Sequence, residues 1–462
     1  MDKHAGSAAA RPRGHRRTRR RLTRRGRILA WSGGVLALLL VAAGCTAVWL
    51  YQSLDGNIHS AAVDDKIGGD RPENLSPGAK NILVVGSDSR AGGNAKYGKS
   101  LTTMQSDTLM VLHIAANREW AAIVSLPRDS WVEIPSCDKG DGTRSEPHHF
   151  KINAAFAAGG TTGDIGSAAA CTIKTIEHNT GLRIDDFLSL DFQGFKGMVN
   201  ALDGIEICPE QAIRDKKAHL DLEAGCQTIK DEQALGYVRT RYSIGDGSDI
   251  GRIGRQQEFM QALAAKAQQK LSSPADLYAF LDAATGSLTT SENLAGIKPL
   301  SALASSLKDI PEDRMAFLTV PNYPRELDVP TDKANISWRY PQAQTLFTAL
   351  AHDQEIGKEQ LTAGDPLPAR GITVRVLNGT GTPGQAAQVA AQLRTAGYTV
   401  SATANASEPA RKTTVIHLPG LEGQAEALAS RLRNPAVAQA DPSAAPGAVT
   451  LTLGPDYAGL RG

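Results

Sequence analysis

An uncharged, mostly apolar run near the N-terminus constrains this chain more than any other feature. It extends from Ile28 to Leu50 and follows a tail, residues 1–27, that holds ten arginines and one lysine against one aspartate. A run of this length can cross the ~30 Å hydrocarbon core of a bilayer. Basic flanks stay in the cytoplasm, and the tryptophans Trp31 and Trp49 suit the two interfaces. We therefore predict a cytoplasmic tail over 1–27, a single transmembrane helix over 28–51 and an extracellular location for the bulk of the chain.

Two other interpretations of the N-terminus fit less well. A cleaved signal peptide would have a shorter apolar run and an A-x-A site at its end. The sequence Ala42-Ala43-Gly44-Cys45 resembles a lipoprotein cleavage box, but it lacks the usual leucine and the apolar run continues beyond it. The tail carries a charge of about +10 and the remaining chain about −8. The basic charge therefore indicates attraction to the anionic inner leaflet and no nucleic-acid partner.

The cysteines agree with an extracellular location. Cys45 falls in the predicted membrane helix, which leaves an even number outside it, in a compartment where disulfides persist: Cys137, Cys171, Cys208 and Cys226. Three pairings of these four are open. Closeness in sequence favours Cys208–Cys226, which leaves Cys137–Cys171. The absence of a C-x-x-C sequence argues against a zinc or thioredoxin-like site.

Strand and helix patterns alternate through the rest of the chain. Residues 52–79 are polar and rich in Gly, Asp and Pro, which predicts an extracellular stalk. Apolar runs over 81–86, 109–114 and 121–126 predict strands, and residues 164–180, 256–271 and 342–351 show helical patterns. We predict an α/β domain over 80–352 with a mixed central sheet flanked by helices. A linker over 353–370 then precedes a small C-terminal α/β domain over 371–462.

Charged side chains gather at the ends of the predicted strands. Asp88 follows the first strand, Asp107 lies beside the second and Arg128 follows the third. The ends of strands are where open sheets bring ligand groups together. Asp88 and Asp107 could hold one hard cation through oxygen ligands, as Mg²⁺ shared with a phosphate requires.

A stretch from Arg239 to Gln256 is rich in arginine and glycine. Arg239 and Arg241 would point to one side in an extended segment. Asp249, Arg252 and Gln256 are three and four residues apart and would share a helix face. Together with three further cations the arginines could surround a pyrophosphate, since guanidinium groups bind phosphate bidentately; these cations are Arg90, Arg128 and Lys151. Each residue alone also suits a cap or a turn, but so many buried cations would be costly without an anion.

Six motifs in order carry a resemblance to a known family. They are N-I-L-V-V-G-S-D-S-R, S-D-T-L-M-V-L-H-I, V-S-L-P-R-D-S, K-I-N-A-A-F, V-R-T-R and D-I-G-R-I-G-R-Q-Q, spread over roughly residues 80–350. This part of the chain resembles the LytR–CpsA–Psr family. The last ninety residues resemble the C-terminal domain often appended to that family. Its members are membrane-anchored phosphotransferases that move a glycopolymer, such as teichoic acid, capsule or another secondary wall polymer, from a polyprenyl-pyrophosphate carrier to peptidoglycan.

The resemblance implies a role for each matching residue. It implies Mg²⁺ (or Mn²⁺) at Asp88 and Asp107, and a base or orienting role for Asp249. It implies pyrophosphate contacts from the arginines, with a lysine and a glutamine lining the same site: Arg128, Arg239, Arg241, Arg252, Lys151 and Gln256. Many members have Arg at the position of Gln105, and Arg90 could supply the missing contact. The lipid tail would need an apolar slot, supplied by residues such as Phe156, Phe187, Phe192 and Phe195.

The predicted function is therefore a glycopolymer–peptidoglycan phosphotransferase that releases polyprenyl phosphate. Its alternatives are a non-catalytic wall- or polyanion-binding or regulatory protein, and a polyprenyl-pyrophosphate hydrolase. The presence of both Asp88 and Asp107 favours an enzyme, because a passive anion site would not need them. A G-x-G-x-x-G sequence at 379–384 is a weak nucleotide signal without a clear βαβ unit, and we interpret its glycines as a turn and helix start.

Overall fold

The computed structural model describes residues 24–87, 106–240, 249–270, 273–362 and 365–461. The chain divides into two compact units, Met1–Ser53 and Leu54–Gly462. The first described element is the helix α1 (Arg24–Asn57). In the described part of the chain, one helical stretch, Leu38–Asn57, is long and apolar enough to cross a membrane. This stretch begins later than the predicted span of 28–51, and both lie within α1.

The remaining elements alternate between strands and helices, as their bounds show. The first group is β1 (His59–Ala61), α2 (Asp64–Ile67), β2 (Lys80–Ser87), β3 (Ser106–Ile114), β4 (Ala121–Leu126), β5 (Trp131–Ile134), β6 (His148–Lys151), α3 (Ala154–Gly159), α4 (Ile165–Thr180), β7 (Asp186–Leu190) and α5 (Phe192–Ala201). Next come β8 (Ile205–Ile207), β9 (Ile213–Asp215), β10 (Leu220–Leu222), β11 (Gln227–Ile229), α6 (Asp231–Arg239), α7 (Asp249–Lys270), α8 (Pro274–Thr285), β12 (Leu288–Ser291), α9 (Ile297–Lys308), β13 (Met315–Thr319), β14 (Asn322–Pro324), β15 (Ile336–Trp338), α10 (Gln342–Ala351) and α11 (Lys358–Thr362). The last group is β16 (Thr373–Asn378), α12 (Gln385–Thr395), β17 (Thr399–Asn405), β18 (Thr414–His417), α13 (Glu422–Ser430), β19 (Ala438–Ala440) and β20 (Val449–Leu453).

A mixed sheet forms the centre of the larger α/β part. Over the described residues its strand order is β1-β12-β7-β2-β3-β4-β13. β2 is parallel to β7 and β4 to β13, whereas β3 runs antiparallel to both β2 and β4. The predicted fold class, a mixed central sheet flanked by helices, is confirmed.

Helices cover both faces of this sheet, which is why its central strands are nearly continuous apolar runs. On one face, Val85 and Val111 pack with Ile173 of α4 and Leu346 of α10. On the other face, Ile82 and Leu112 pack with partly buried leucines of α9. Farther along, α5, α6 and α7 share a separate apolar cluster that includes Val199, Tyr237 and Phe259.

The longest helix of the first face, α4, shows why the sequence specifies its ends. Asp164 is its N-cap and accepts a hydrogen bond from the Gly166 amide at 2.9 Å, which satisfies one of the free N–H groups of the first turn. The helix stops at Gly181, whose φ of 72° is left-handed and favours glycine. The prediction of a helix over 164–180 is therefore correct to within one residue.

Two segments predicted to connect domains are in fact partly folded. Within the predicted stalk over 52–79, β1 pairs with β12, and Val63 and Ile67 are buried in the main core. Within the predicted linker over 353–370, Ile356 and Leu361 are buried in the same core. Both segments are polar on average, and the few apolar residues that anchor them are too sparse to form a recognisable period.

A second sheet forms the C-terminal part of the chain. Among the described residues its order is β17-β16-β20-β18-β19, with buried residues of α12 and α13 in its core. It belongs to the same compact unit as the larger sheet. Arg433 after α13 donates to Glu133 of β5 at 2.6 Å, and the Ala369 amide donates to Asp328 at 2.7 Å.

The favoured disulfide pairing is confirmed. Cys137–Cys171 joins the segment after β5 to α4, and Cys208–Cys226 joins the segment after β8 to the segment before β11. Cys45 in α1 is an exposed free thiol.

Candidate functional site

The register of three strands places the ends of β2, β3 and β4 that carry charged residues next to one another. Gly86 of β2 lies opposite Thr108 of β3, and Leu109 of β3 lies opposite Leu126 of β4. The end of β2, the beginning of β3 and the end of β4 are therefore at one edge of the sheet. Glycine suits position 86 because the Cβ atom of any other residue would lie only 3.1 Å from the Thr108 Cβ, which is a tight contact.

Asp107 and Arg128 form an ion pair at this edge. Arg128 Nη1 donates to Asp107 Oδ1 at 2.6 Å, and the two side chains are 17% and 31% exposed. A charge-assisted contact of this length is among the stronger hydrogen bonds in proteins. Because Asp107 is partly exposed, its carboxylate can also reach a ligand or a cation.

Helix α7 lies over the same edge and presents the predicted face. Arg252 is buried and donates from Nη2 to the Asp107 carbonyl oxygen at 3.2 Å. Gln256, one turn later, donates from Nε2 to Thr108 Oγ1 at 3.2 Å and to the Val238 carbonyl at 3.0 Å. The backbone of Asp249 begins this helix, but its side chain lies outside the described residues.

Arg239 is placed differently from the prediction. It is the last residue of α6, so it is helical, and Thr240 is the first residue in an extended conformation. The expectation that Arg239 and Arg241 share one side of an extended segment was wrong for Arg239, since α6 continues through this residue. The Arg239 guanidinium carbon lies 4.9 Å from the centroid of the Phe192 ring, a cation–π geometry.

A cavity of about 330 Å³ lies between the sheet and helices α5, α6 and α7. Its polar lining includes Asp107, Thr108, Arg239, Arg252 and Gln256. Its apolar lining includes Val84 and Met110 of the sheet, Phe192, Phe195 and Met198 of α5, and Phe259, Met260 and Leu263 of α7. The volume is within the range of small-molecule pockets. The apolar end of an amphiphilic ligand could pack against the apolar lining, and its anionic end could contact Arg239 and Arg252.

Two of the four phenylalanines proposed for an apolar slot line this cavity, namely Phe192 and Phe195. Phe156 and Phe187 are fully buried in the main core on the opposite face of the sheet. The sequence could not separate the two pairs. Phe187 lies on β7, a strand buried on both faces that has no alternating pattern, and Phe156, Phe192 and Phe195 lie on helices whose partners depend on the tertiary fold.

Lys151 lies near the cavity and contacts Asp129, the residue after Arg128. Its Nζ donates to Asp129 Oδ1 at 2.6 Å and to the Ala334 carbonyl at 3.0 Å. The other Asp129 oxygen is 3.8 Å from Arg128 Nε. In this structure Lys151 therefore contacts the loop that carries Arg128 and does not line the cavity itself.

Several predicted positions lie outside the described residues: Asp88, Arg90, Gln105 and Arg241. Among the described residues there is no group of three or more His, Cys, Asp or Glu side chains that could hold a metal ion. Asp107 still fits a hard cation by the chemistry of its oxygens and by its partial exposure. Asp88 follows Ser87, the β2 residue that pairs with Ser106 immediately before Asp107.

Three residues of the site region were not predicted from the sequence. Asp215, the last residue of β9, is buried and lines the cavity, and Arg255 is buried on α7. Tyr237 of α6 donates to Glu258 of α7 at 3.0 Å, and burial together with this carboxylate raises the pKa of Tyr237. The spacing of Arg252 and Arg255 could have indicated a second helix-borne contact, whereas nothing local marks Asp215.

Comparison with known proteins identifies the family. The model of the LytR_cpsA_psr family matches residues 50–350, which include every described site residue. The chain belongs to the LytR_cpsA_psr family. A second family, described as LytR cell envelope-related transcriptional attenuator, matches residues 371–457.

Individual relatives are similar over much of the chain. The probable cell wall biosynthesis protein LcpB of Corynebacterium glutamicum is 33% identical over 328 residues, which cover 69% of this chain and 70% of the relative. The polyisoprenyl-teichoic acid–peptidoglycan teichoic acid transferase TagT of Bacillus subtilis is 28% identical over 271 residues, covering 56% and 76%. A LytR-Csp2A-Psr enzyme structure from Actinomyces oris aligns with a TM-score of 0.47 at 17% identity, covering 64% and 96%.

Proposed function

We propose that this protein is a membrane-anchored phosphotransferase that moves a glycopolymer from a polyprenyl-pyrophosphate carrier onto peptidoglycan. The observation that carries the proposal is the cavity, which has apolar walls from α5 and α7 and charged groups at Asp107, Arg239 and Arg252. A polyprenyl pyrophosphate has the same division, with a hydrocarbon tail and a strongly anionic head. The transferase name of the relative TagT supports this substrate class.

The cavity would bind the carrier in two parts. The first isoprene units would pack against the apolar lining of α5 and α7, where burial of hydrocarbon is favourable. The pyrophosphate would then lie against the guanidinium groups, with Gln256 as a neutral donor beside them. Arginine suits this position because its planar fork can donate two parallel hydrogen bonds to one phosphate.

The proposed reaction is a phosphoryl transfer from the carrier to a peptidoglycan hydroxyl. A hydroxyl oxygen of peptidoglycan attacks the phosphorus that bears the glycan, a new P–O bond forms, and the P–O bond of the pyrophosphate bridge breaks. Polyprenyl phosphate leaves, and the hydroxyl proton passes to a carboxylate, for which we propose Asp249. Arg128 and Arg252 would stabilise the charge on the transferring group, since such reactions depend mainly on positioning and electrostatics.

A divalent cation would assist this chemistry. We propose Mg²⁺, or Mn²⁺, bound by Asp107 together with Asp88. When bound, such an ion neutralises charge on the phosphate oxygens. Asp107 suits the role because its carboxylate lines the cavity and is partly exposed.

We also propose that the N-terminus is cytoplasmic and that the cavity faces the cell wall. The arginine-rich tail before α1 supports this orientation by the positive-inside rule. The two disulfides support it independently, because such bonds persist outside the cytoplasm.

The test uses full-length protein in lipid nanodiscs, a polyprenyl-pyrophosphate-linked glycan and soluble peptidoglycan fragments, with and without Mg²⁺. We expect release of polyprenyl phosphate coupled to glycan-phosphate on peptidoglycan. Asp107→Asn keeps the side-chain shape but loses the charge opposite Arg128, and should lower the rate by about 100-fold or more. The control Asp221→Asn changes an exposed aspartate of β10 and should leave the rate unchanged.

Other outcomes would contradict the proposal in distinct ways. Release of polyprenyl phosphate without transfer would indicate a hydrolase. Tight binding of the carrier with no release, in the presence of Mg²⁺ or Mn²⁺, would indicate a binding or regulatory protein. Equal rates with and without the metal would remove the cation from the mechanism and leave the transferase in place.

A further inference from the structure

The residue between Arg239 and Arg241 is held from two sides. Thr240 is fully buried, and its hydroxyl donates to Asp215 Oδ2 at 2.6 Å. Its carbonyl oxygen accepts a hydrogen bond from Arg255 Nη2 at 2.5 Å. We call these three residues, Asp215, Thr240 and Arg255, the threonine clamp.

Each outer member of the clamp is itself fixed. The second Asp215 oxygen accepts hydrogen bonds from the Lys217 and Ala218 amides at 2.9 and 3.1 Å, so the carboxylate cannot turn away. Arg255 lies on α7 between Arg252, which contacts Asp107, and Gln256, which contacts Thr108. The clamp therefore joins the end of α6 to the β9–β10 turn and to the helix that contacts β3.

The polar contacts of the clamp indicate that it fixes a geometry as well as packing α6 against α7. Burying a carboxylate, a guanidinium group and a hydroxyl costs desolvation energy, and apolar residues could close α6 against α7 without that cost. What polar contacts add is a defined geometry. They act at the point where α6 ends and the backbone becomes extended, with Thr240 at φ −61° and ψ 141°. Arg239, the residue before this point, lines the cavity.

We propose that Asp215, Thr240 and Arg255 are positioning residues that hold Arg239 at a fixed distance from Arg252. Two cationic groups at a set separation match a pyrophosphate, which has two phosphates, better than a monophosphate. The clamp thus sets the preference of the cavity for a pyrophosphate head group. This inference rests on the proposed function, because it assumes that the anion in the cavity is a pyrophosphate.

The experiment compares two lipids with the same tail, geranylgeranyl pyrophosphate and geranylgeranyl monophosphate, binding to the full-length protein in nanodiscs. The wild type should bind the pyrophosphate about tenfold more tightly or better, because it offers additional charge-assisted hydrogen bonds. Thr240→Val keeps the side-chain shape and removes the hydroxyl. It should lose most of this preference, by a factor of about ten, because misplacing a contact by about 1 Å can cost up to 100-fold.

Two further variants separate positioning from folding. Thr240→Ser restores the hydroxyl and should recover the preference for the pyrophosphate. Thr172→Val is a matched control, since Thr172 is also fully buried and its hydroxyl donates to the Ala168 carbonyl within α4. It should lower the thermal stability about as much as Thr240→Val does and leave the preference intact.

The results distinguish the clamp from the proposed function. If the wild type binds the two lipids equally, the pyrophosphate site itself is refuted and the clamp with it. If the wild type discriminates and Thr240→Val discriminates equally well, only the clamp is refuted. An equal loss of preference in Thr172→Val would assign the effect to general destabilisation and would also overturn the clamp.

Discussion

Asp107 and Arg128 are 21 positions apart in the sequence, and the antiparallel pairing of β3 with β4 brings them into contact. The same register lets one helix, α7, contact the strand edge through Arg252 and Gln256. Single side chains of this kind decide whether the cavity can act on a phosphate. The ion pair is therefore the sharpest place to test the chemistry.

Arg128→Ala should abolish transfer and leave the fold intact. The variant removes one guanidinium group from the strand edge and leaves Asp107 without this partner, so we expect a rate at least 100-fold lower. The Asp107 side chain is 31% exposed, so water can replace the lost partner and the protein should remain folded. The measurement is the transfer assay beside a thermal melt, with Arg214→Ala of the exposed ion pair on β9 as control. Normal turnover in Arg128→Ala would remove it from the catalytic site.

The sequence predicts the relative placement of side chains well when they share one element. Arg252 and Gln256 lie four positions apart on a helix, and their shared face was predicted from that spacing alone. Lys151 is different, because its contact with Asp129 depends on the pairing of β5 with β6. Asp215 was missed for a related reason, since a buried acid at the end of a three-residue strand has no local pattern that separates it from an exposed one.

At the scale of elements, apolar runs of sufficient length were predicted closely. The strand over 121–126 and the helix over 342–351 have the predicted bounds. The three-residue strands β9, β10 and β11 carry too few side chains to show a period, and they were not predicted. Asp215 is the last residue of β9, and the disulfide Cys208–Cys226 closes the segment that contains β9 and β10.

Removal of this disulfide should destabilise the wall of the cavity. The pair Cys208–Cys226 spans 18 residues and Cys137–Cys171 spans 34, and loops of this length predict a loss of about 3–4 kcal/mol each on reduction. We expect Cys208→Ser/Cys226→Ser to unfold at a lower denaturant concentration than the wild type in oxidising buffer. The two proteins should unfold more similarly after reduction. Four free thiols in native protein, besides Cys45, would refute both bonds.

At the scale of the whole molecule, an ion pair and a hydrogen bond join the C-terminal sheet to the larger α/β part. Arg433 contacts Glu133, and Arg325 before β15 donates to the Thr395 carbonyl at 2.8 Å. The sequence predicted both sheets but gave no indication of this contact, because the partners are up to 300 positions apart. Charged residues on separate elements look like solvated surface until the fold places them together.

The Glu133 contact predicts a specific pH dependence. The His178 side chain and the Arg433 charge lower the pKa of Glu133 to about 2 from its usual 4.5, against the opposing effect of burial. A lowered folded-state pKa means that the unfolded chain binds the proton more readily. The contribution is therefore fully present above about pH 4.5 and is lost as the pH falls toward 2.

The measurement is the free energy of unfolding between pH 7 and pH 3. Wild-type protein should lose about 2 kcal/mol more than Glu133→Gln over this range, a value reduced for partial solvent screening. Glu146→Gln, which changes an exposed glutamate of the same region, should follow the wild-type curve. Parallel curves for the wild type and Glu133→Gln would show that the pair adds no stability.

Arg431 is the residue that should couple the two sheets most strongly. It is buried, with its guanidinium carbon 5.8 Å from the Tyr340 ring of the larger part and 5.6 Å from the Tyr398 ring of the C-terminal part. Arg431→Met keeps the length of the side chain and removes the charge. Because the buried Asp328 carboxylate near the contact then loses a compensating cation, we expect a loss of about 3 kcal/mol.

Two spectroscopic signals can report this coupling. Every tryptophan lies at or before position 338, so tryptophan fluorescence does not report on the C-terminal sheet, whereas far-ultraviolet circular dichroism follows both sheets. In the wild type the two transitions should coincide, as expected for one cooperative unit. In Arg431→Met the dichroism should show an earlier phase that fluorescence lacks, while Arg411→Met, at an exposed arginine, should behave as the wild type. Coincident transitions in Arg431→Met would mean that the other contacts between the two sheets are sufficient to keep their unfolding cooperative. The contacts of Arg433 and Arg325 would then hold the C-terminal sheet more than this buried cation does.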